Sequence, residues 1–314
     1  MDDQNKNLII ATALSFVVIL VWFVLFPPPE PDATLDGPVA SETAPAEGTL
    51  ATPTADVPAA TTTASTPTEP SAIETAPRVA IETPRVNGSI SLLGGRIDEL
   101  SLADYNTSLR DDAQIVEILF PANEAGAQYA LHGWAAAVGV DPTAVPGPNT
   151  LWTLASGDTL TVDTPITLTW DNGAGLLFSK EISIDADFLF TITQSVQNNG
   201  DAAASMAPYA VLARHGEPTD LKNFFILHEG VVAMTDGEYS ETDWDELPEF
   251  EFNQRAGART QERNITENGW IGFTDHYWMS VLIPTQGTAF KSAAKYDERR
   301  DIYQTEAVSS VQTV

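Results

Sequence analysis

Residues 8–26 form one uninterrupted run of nineteen uncharged residues, LIIATALSFVVILVWFVLF, which three prolines follow. As an α-helix this run would be about 29 Å long, close to the ~30 Å hydrocarbon thickness of a bilayer. A helix satisfies its own backbone hydrogen bonds, as a membrane requires, and proline then stops it. The sequence therefore predicts a transmembrane helix over residues 8–26. The length of the run favours a retained anchor over a cleaved signal peptide.

The positions of the basic residues predict the orientation of this anchor. Lys6 precedes the apolar run, and the next Lys or Arg after the run is Arg78. Positively charged flanks of a membrane span tend to stay in the cytoplasm. We therefore expect residues 1–7 in the cytoplasm and the rest of the chain beyond the inner membrane, in the periplasm of a Gram-negative cell.

Residues 27–77 have the composition of a linker. Of these 51 residues, 33 are Pro, Ala or Thr, eleven of each. Such a segment cannot bury enough apolar surface to offset the entropy of ordering it, and its prolines favour extended backbone. We expect a disordered spacer that separates the membrane anchor from a folded domain over residues 78–314.

The net charge excludes some classes of partner. The chain has 44 acidic and 15 basic residues, a net charge of −29, and no cysteine. Nucleic acid is not expected as a partner, because phosphate binding needs Lys and Arg. The absence of cysteine excludes disulfides, thiolate metal sites and cysteine nucleophiles. A basic protein surface remains compatible with this charge.

After Arg78 the apolar residues recur with the period of two that is typical of strands. Examples are the segments 86–92, 116–120, 166–170, 176–184 and 188–196, and turn signals such as Gly94-Gly95 and Asn172-Gly173 separate them. This pattern indicates strands joined by short turns, with no amphipathic helix of three turns after Pro77. The predicted fold is all-β, a large antiparallel sandwich built from two packed sheets.

The densest apolar run of this region is 270–283. Ile271, Phe273, Tyr277 and Met279 fall on one face of a continuous strand, and Trp278 falls on the other. Apolar residues on both faces indicate a strand that is covered on each side. We therefore expect a central strand here.

No catalytic, cofactor-binding or metal-binding residue is predicted. The four histidines, His132, His215, His228 and His276, form no metal-binding pattern, and neighbours on a strand such as His228 and Glu229 point to opposite faces. The chain also contains no nucleophile elbow, phosphate loop or dinucleotide fingerprint.

The segment 236–251 is unusual because eight of its sixteen residues are acidic and three aromatic residues interrupt them. A calcium loop, a protein-binding edge and a solvated acidic hairpin all fit this composition, although the spacing matches no EF-hand. As a protein-binding edge, the aromatic rings would supply contact area and the acids would steer a basic partner. The candidate partner-binding residues are Asp236, Tyr239, Asp243, Trp244, Asp245, Glu246 and Phe250.

Three segments carry a resemblance to a known family. They are the opening MDDQNKNLIIATALSFVVILVWFVLFPP, the hairpin RVNGSISLLGGRIDELSLADY, and the strand NGWIGFTDHYWMSVLIP. Together they resemble the first transmembrane helix and periplasmic domain of YidC-type membrane-protein insertases, of the YidC/Oxa/Alb family. In the third segment Trp270, Tyr277, Ile283 and Pro284 match the family's pattern.

The resemblance implies a twisted β-sandwich, a supersandwich similar in shape to that of sugar mutarotases. It also implies a role in inserting, folding and assembling inner-membrane proteins, alone or beside the Sec translocon. The implied partners are the inner membrane, nascent membrane proteins and Sec accessory subunits. No cofactor is implied.

The resemblance does not extend to the family's five-helix insertase core, because no second apolar span follows residue 26 and the chain stops at Val314. We expect a fragment that ends within the periplasmic domain. The alternative function is a membrane-anchored carbohydrate-binding or mutarotase-like protein, which would need an acid and a base, usually His with a carboxylate, in one cleft.

Overall fold

A computed structural model describes residues 75–219, 221 and 227–314 of the chain. Within this part of the chain, no helix is long and apolar enough to span a membrane. The predicted membrane anchor at 8–26 lies outside the described residues, and so does the predicted linker up to residue 74.

Strands dominate the described residues, and the regular helices among them are two short 3-10 helices, Pro142–Ala144 and Leu247–Glu249. The strands are β1 (Arg78–Glu82), β2 (Val86–Ser91), β3 (Arg96–Asn106), β4 (Ile115–Leu119), β5 (Gln128–Ala136), β6 (Thr153–Ser156), β7 (Thr159–Leu160), β8 (Ile166–Asp171), β9 (Leu176–Ile184), β10 (Phe190–Asn198), β11 (Ser205–His215), β12 (Gly230–Thr235), β13 (Glu238–Asp243), β14 (Phe252–Asn253), β15 (Ala258–Ile265), β16 (Gly269–Thr274), β17 (Met279–Leu282), β18 (Phe290–Asp297), β19 (Ile302–Ser309) and β20 (Gln312–Thr313).

These strands form three sheets. The large sheet has twelve strands, in the order β14-β15-β18-β19-β11-β5-β3-β2-β1-β7, with β4 beside β3 and β20 beside β11. The first small sheet has the order β10-β9-β8-β6, and the second small sheet the order β13-β12-β16-β17. All named pairs are antiparallel except β1 with β7.

Both small sheets pack against the same face of the large sheet. Trp134 on β5 contacts Phe178 of the first small sheet, with ring centroids 5.8 Å apart. Tyr303 on β19 contacts Trp244, which stacks on Phe273 of the second small sheet. The pairing register of β11 with β5 and β19 places Trp134 and Tyr303 on one face. The resulting apolar core is shared by all three sheets.

The structure confirms the predicted all-β sandwich and explains its pattern. On β9, Leu176, Phe178, Ile182 and Ile184 are buried while alternate residues are more exposed, as a period of two requires. The prediction of two sheets was wrong in number, because the layer that covers the large sheet is divided into two separate sheets. Periodicity reports which face of a strand is buried, but not which strand lies beside it.

The apolar run at 270–283 is a hairpin and not one central strand, so that prediction was wrong. It forms β16 and β17, which pair with each other, for example Phe273 with Ser280. Asp275 lies in the connection between them, where its side chain accepts a hydrogen bond from the His276 N–H. β17 ends its sheet, and Tyr277, Met279 and Ile283 are exposed.

A buried lysine joins the first small sheet to the large sheet. Lys180 occupies an inward position of β9, and its Nζ donates to the carbonyl oxygens of His132 at 2.8 Å and of Gly94 at 3.2 Å. The ammonium group also lies 4.6 Å from the centre of the Trp152 ring. Burial, followed by the charge of Arg96, lowers the pKa of Lys180 to about 7.

This pKa predicts a pH dependence of stability. The unfolded chain keeps Lys180 protonated up to its ordinary pKa of 10.5, whereas the folded chain releases that proton near pH 7. Between these values the unfolded state binds more protons, so the free energy of unfolding rises with pH, by about 1.4 kcal/mol per unit at most.

In urea titrations of the chain in detergent from pH 6 to 10, Lys180→Met should remove this rise in the free energy of unfolding. Substituting the exposed Lys291 by Met should leave it in place; equal slopes in wild type and Lys180→Met would contradict the assignment.

Candidate functional site

In the part of the chain that the structure describes, a cleft of about 820 Å³ lies between the two small sheets, on the face of the large sheet that they cover. One wall is the first half of β10, up to Gln194, with the residues just before the strand, and the opposite wall is β17 with Ile283 to Thr285. Strands β3, β5 and β11 of the large sheet form most of the floor, with apolar side chains such as Leu100, Leu102 and Leu212. Its volume lies within the range of natural ligand pockets.

The lining of the cleft is uncharged. Among the described residues that line it there is no Asp, Glu, Lys or Arg, and its polar groups are those of Ser, Thr, Gln, Tyr and His132. Desolvation, followed by the charge of Lys180, lowers the pKa of the His132 imidazole to about 3. His132 is therefore neutral at physiological pH. In a chain with a net charge of −29, this cleft is an apolar, uncharged recess.

The other three histidines have separate partners. His215 Nε2 lies 3.3 Å from the Tyr129 hydroxyl, and His228 Nδ1 lies 2.9 Å from an Asp243 carboxylate oxygen. His276 Nδ1 lies 3.4 Å from a Glu229 carboxylate oxygen, outside the cleft lining. Within the described ranges, no group of three or more His, Asp or Glu side chains could hold a metal ion.

In the acidic segment, Asp236 has a structural position. It lies with positive φ in the turn between β12 and β13. Its carboxylate accepts hydrogen bonds from the backbone N–H groups of Thr266, Glu267 and Asn268, and from the Thr266 hydroxyl. These bonds lower the pKa of Asp236 well below its ordinary value. The carboxylate thus ties the β12–β13 hairpin to the turn before β16.

The aromatic residues of the segment divide between core and surface. Trp244 is only 3% exposed and packs between Phe273 and Tyr303, so the expectation that it anchors a partner is not supported by its position. Phe250 is half-buried against the core. Tyr239 is 53% exposed, and its hydroxyl donates to Glu241 at 2.9 Å. Tyr239 is therefore the aromatic side chain that a partner could reach most readily.

The acidic residues that were predicted to steer a partner remain on the surface. Asp243, Asp245 and Glu246 are all exposed, although Asp243 also bonds to His228. Asp243 belongs to β13, the outer edge strand of the second small sheet, which also carries Glu238 and Glu241. Charged side chains on an edge strand disfavour pairing with another strand.

Neither the cleft nor the buried Lys180 was predicted from the sequence. The signal for Lys180 was present, since it interrupts the inward-facing series on β9 at a position where an apolar residue is expected. The cleft had no comparable signal. Its walls come from two segments, 188–194 and 279–285, that are about 90 residues apart in the sequence, and only the sheet order brings them to one place.

Comparisons with known proteins agree with this architecture. A family description of the YidC periplasmic domain matches residues 78–314. The chain is 58% identical to the membrane protein insertase YidC of Roseobacter denitrificans, over 99% of this chain and 52% of that protein. It is 55% identical to the protein of the same name from Ruegeria pomeroyi, over all of this chain and 52% of that one. It is 49% identical to the protein of that name from Cereibacter sphaeroides, over all of this chain and 49% of that protein. The chain thus spans about half the length of these relatives.

The position of Trp244 predicts a clear difference between two aromatic substitutions. Trp244→Ala should lower the free energy of unfolding by about 3–5 kcal/mol, because it leaves a cavity between two sheets. Tyr239→Ala, at an exposed position of the same segment, should change it by about 0.5 kcal/mol or less. Chemical denaturation of the chain in detergent measures both. Equal effects would show that Trp244 is not part of the core.

Proposed function

The chain belongs to the YidC family, and from this premise we propose that the protein carrying it assists the insertion, folding and assembly of inner-membrane proteins. The family match covers the whole described domain, and the relatives that are about half identical are named membrane protein insertases. This agreement is the observation that carries the proposal. The domain at 78–314 would act in the periplasm, next to segments of client proteins that leave the membrane.

The uncharged cleft supports a binding role for this domain. Segments of an unfolded membrane protein expose apolar side chains and backbone polar groups to water. A recess with an apolar floor, uncharged polar groups in its lining and a neutral histidine suits such segments better than it suits charged ligands. We propose that this action is non-catalytic.

The location that we propose follows the same logic. Residues 8–26 would anchor the protein in the inner membrane, with residues 1–7 in the cytoplasm and the β-sandwich in the periplasm. The distribution of Lys and Arg around the apolar run supports this orientation. Sec accessory subunits remain candidate partners at the acidic segment 236–251, through Tyr239 and the exposed acids.

A carbohydrate-binding or mutarotase-like role has less support. Acid–base catalysis on a sugar needs a proton donor and acceptor within reach of one substrate. The described lining of the cleft holds one histidine and no carboxylate, and the pair of His276 with Glu229 lies elsewhere. No specific observation favours this second function.

Depletion of the protein in its source bacterium tests the proposed function. Newly made inner-membrane proteins should accumulate uninserted, as pulse-labelling followed by protease treatment of spheroplasts would show. A periplasmic protein that lacks membrane spans serves as the control and should be exported normally. The same protease treatment should digest the β-sandwich of the protein itself. Unchanged insertion of membrane proteins after depletion would contradict the function, and protection of the β-sandwich would contradict the orientation.

Binding kinetics test the proposed partner surface at the acidic segment. Asp245→Asn with Glu246→Gln should slow association with the periplasmic part of a Sec accessory subunit and reduce its salt dependence. Tyr239→Ala should instead speed dissociation, as expected for a contact residue. Neutralising two exposed acids outside the segment, Asp111 and Asp163, is the matched control. If the segment variants and the control behave alike, the segment is not the contact surface.

A further inference from the structure

The edge strands of the three sheets differ in how strongly they are protected against pairing with a further strand. An edge strand presents unpaired backbone N–H and C=O groups, and natural proteins blunt such edges with short strands, bulges or charges. The large sheet ends in β7 and β14, which have two residues each. The first small sheet ends on one side in β6, four residues long with an irregular register. The second small sheet ends in β13, whose six residues include Glu238, Glu241 and Asp243.

Strand β10 has none of these protections. It is nine residues long, pairs with β9 in a continuous register from Phe190 to Asn198, and carries no charged residue. Its outward-facing side chains, Thr191, Thr193, Ser195 and Gln197, are exposed. Among the described residues, no strand pairs with its second side. The first half of this unprotected edge, up to Gln194, forms one wall of the cleft, and the opposite wall is β17, a second uncharged edge strand.

We propose that the edge of β10 binds an extended, uncharged polypeptide segment, which adds to the first small sheet as a further antiparallel or parallel strand within the cleft. Backbone hydrogen bonds to β10 would supply affinity independent of sequence, and apolar side chains of the ligand would supply the rest. The inference rests on the proposed function only for the natural source of the segment, an exported part of a client membrane protein.

The lining of the cleft defines the side chains that such a strand would carry. Residues of a strand alternate between two faces, so every second side chain of the ligand would point to the floor at Leu100, Leu102 and Leu212. The remaining side chains would point to solvent. Leu189 on one wall and Met279 on the other are more than half exposed at 53% and 57%, and both would be covered by the ligand.

Charge supports this choice of ligand. The cleft is uncharged in a protein with a net charge of −29, so burying an acidic or basic side chain there would cost desolvation without a partner. An alternating apolar and neutral polar segment avoids that cost. The residues 27–74 of this chain and a second copy of β10 are the competing occupants, and the experiment below distinguishes them.

The chain contains no cysteine, which makes a single engineered thiol specific. Thr193 on β10 and Thr167 on β8 both pair with Glu181 on β9, so they share one neighbour and differ in that only Thr193 lies at the edge. The probe is an acetylated and amidated nine-residue peptide of alternating Thr and Val with a central Cys. With dissolved oxygen as the oxidant, the rate of mixed-disulfide formation between this peptide and the 314-residue chain in detergent is measured for Thr193→Cys and, as the matched control, for Thr167→Cys.

We expect the peptide to cross-link to Thr193→Cys at least about tenfold faster than to Thr167→Cys, because neighbouring strands bring opposite Cβ atoms within ~5.5 Å. Two further peptides are methylated at every second backbone nitrogen, one at the odd and one at the even positions. Each lacks the N–H donors of one edge of the strand, so the peptide that lacks the donors facing β10 should bind about tenfold more weakly. Equal cross-linking at the two positions, or full binding of both methylated peptides, would overturn strand addition.

Two further measurements separate the competing occupants. If deleting residues 27–74 increases peptide cross-linking at Thr193→Cys more than about tenfold, the linker is the occupant and the proposal fails. If Thr193→Cys forms disulfide-linked dimers faster than it reacts with the peptide, a second copy is the occupant, and the proposal again fails. Peptide binding is measured without any insertion assay. If depletion did not affect membrane-protein insertion, the finding that β10 binds the peptide would still hold. If the peptide did not bind β10, the proposed role in insertion would still hold.

Discussion

The contact on which the architecture depends most is that of the Lys180 ammonium with the backbone of the large sheet. Three backbone carbonyl groups, those of Gly94, Gly95 and His132, lie within 3.5 Å of its Nζ, and the Trp152 ring lies above it. A buried amino group needs such partners, since an unpaired one would be strongly unfavourable. The Gly94-Gly95 turn is part of this arrangement. Both residues have positive φ, and a Cβ at Gly95 would lie 2.8 Å from Nζ. One side chain thus links β9, β5 and the turn between β2 and β3.

This link sets the position of the first small sheet, and the cleft follows from it. Phe178 and Ile182 flank Lys180 on β9 and pack into the shared core, so β9 lies firmly against the large sheet. β10 is the next strand outward and ends the sheet. The second small sheet is placed independently, by the packing of Trp244 and Phe273 against Tyr303. Two sheets positioned by separate contacts on one wide sheet leave a cleft between them.

Much of this fold could be predicted from the sequence, because burial alternates along a strand and turns have their own residues. The segments at 86–92, 166–170 and 176–184 correspond to β2, β8 and β9. The hairpin at 269–282 was predicted as one strand, because apolar residues on β16 and β17 continue through the connection around Asp275. The composition of the acidic segment made Trp244 a candidate partner-binding residue, whereas packing buries it in the core. The cleft depends on which strands are neighbours, and local patterns do not contain that information.

The edge strand β13 of the second small sheet carries acidic residues, whereas the edge strand β10 of the first small sheet carries no charge. This contrast explains part of the acidic segment in structural terms. Asp236 caps a turn, Trp244 fills the core, and the acids of β13 keep the outer edge of the second small sheet from pairing. A chain with 44 acidic residues places none on β10 or β17, the two edges that border the cleft. Strand pairing is thereby disfavoured at the outer edge and left open inside the cleft. These two uncharged edge strands line the cleft, where the proposed ligand strand would bind.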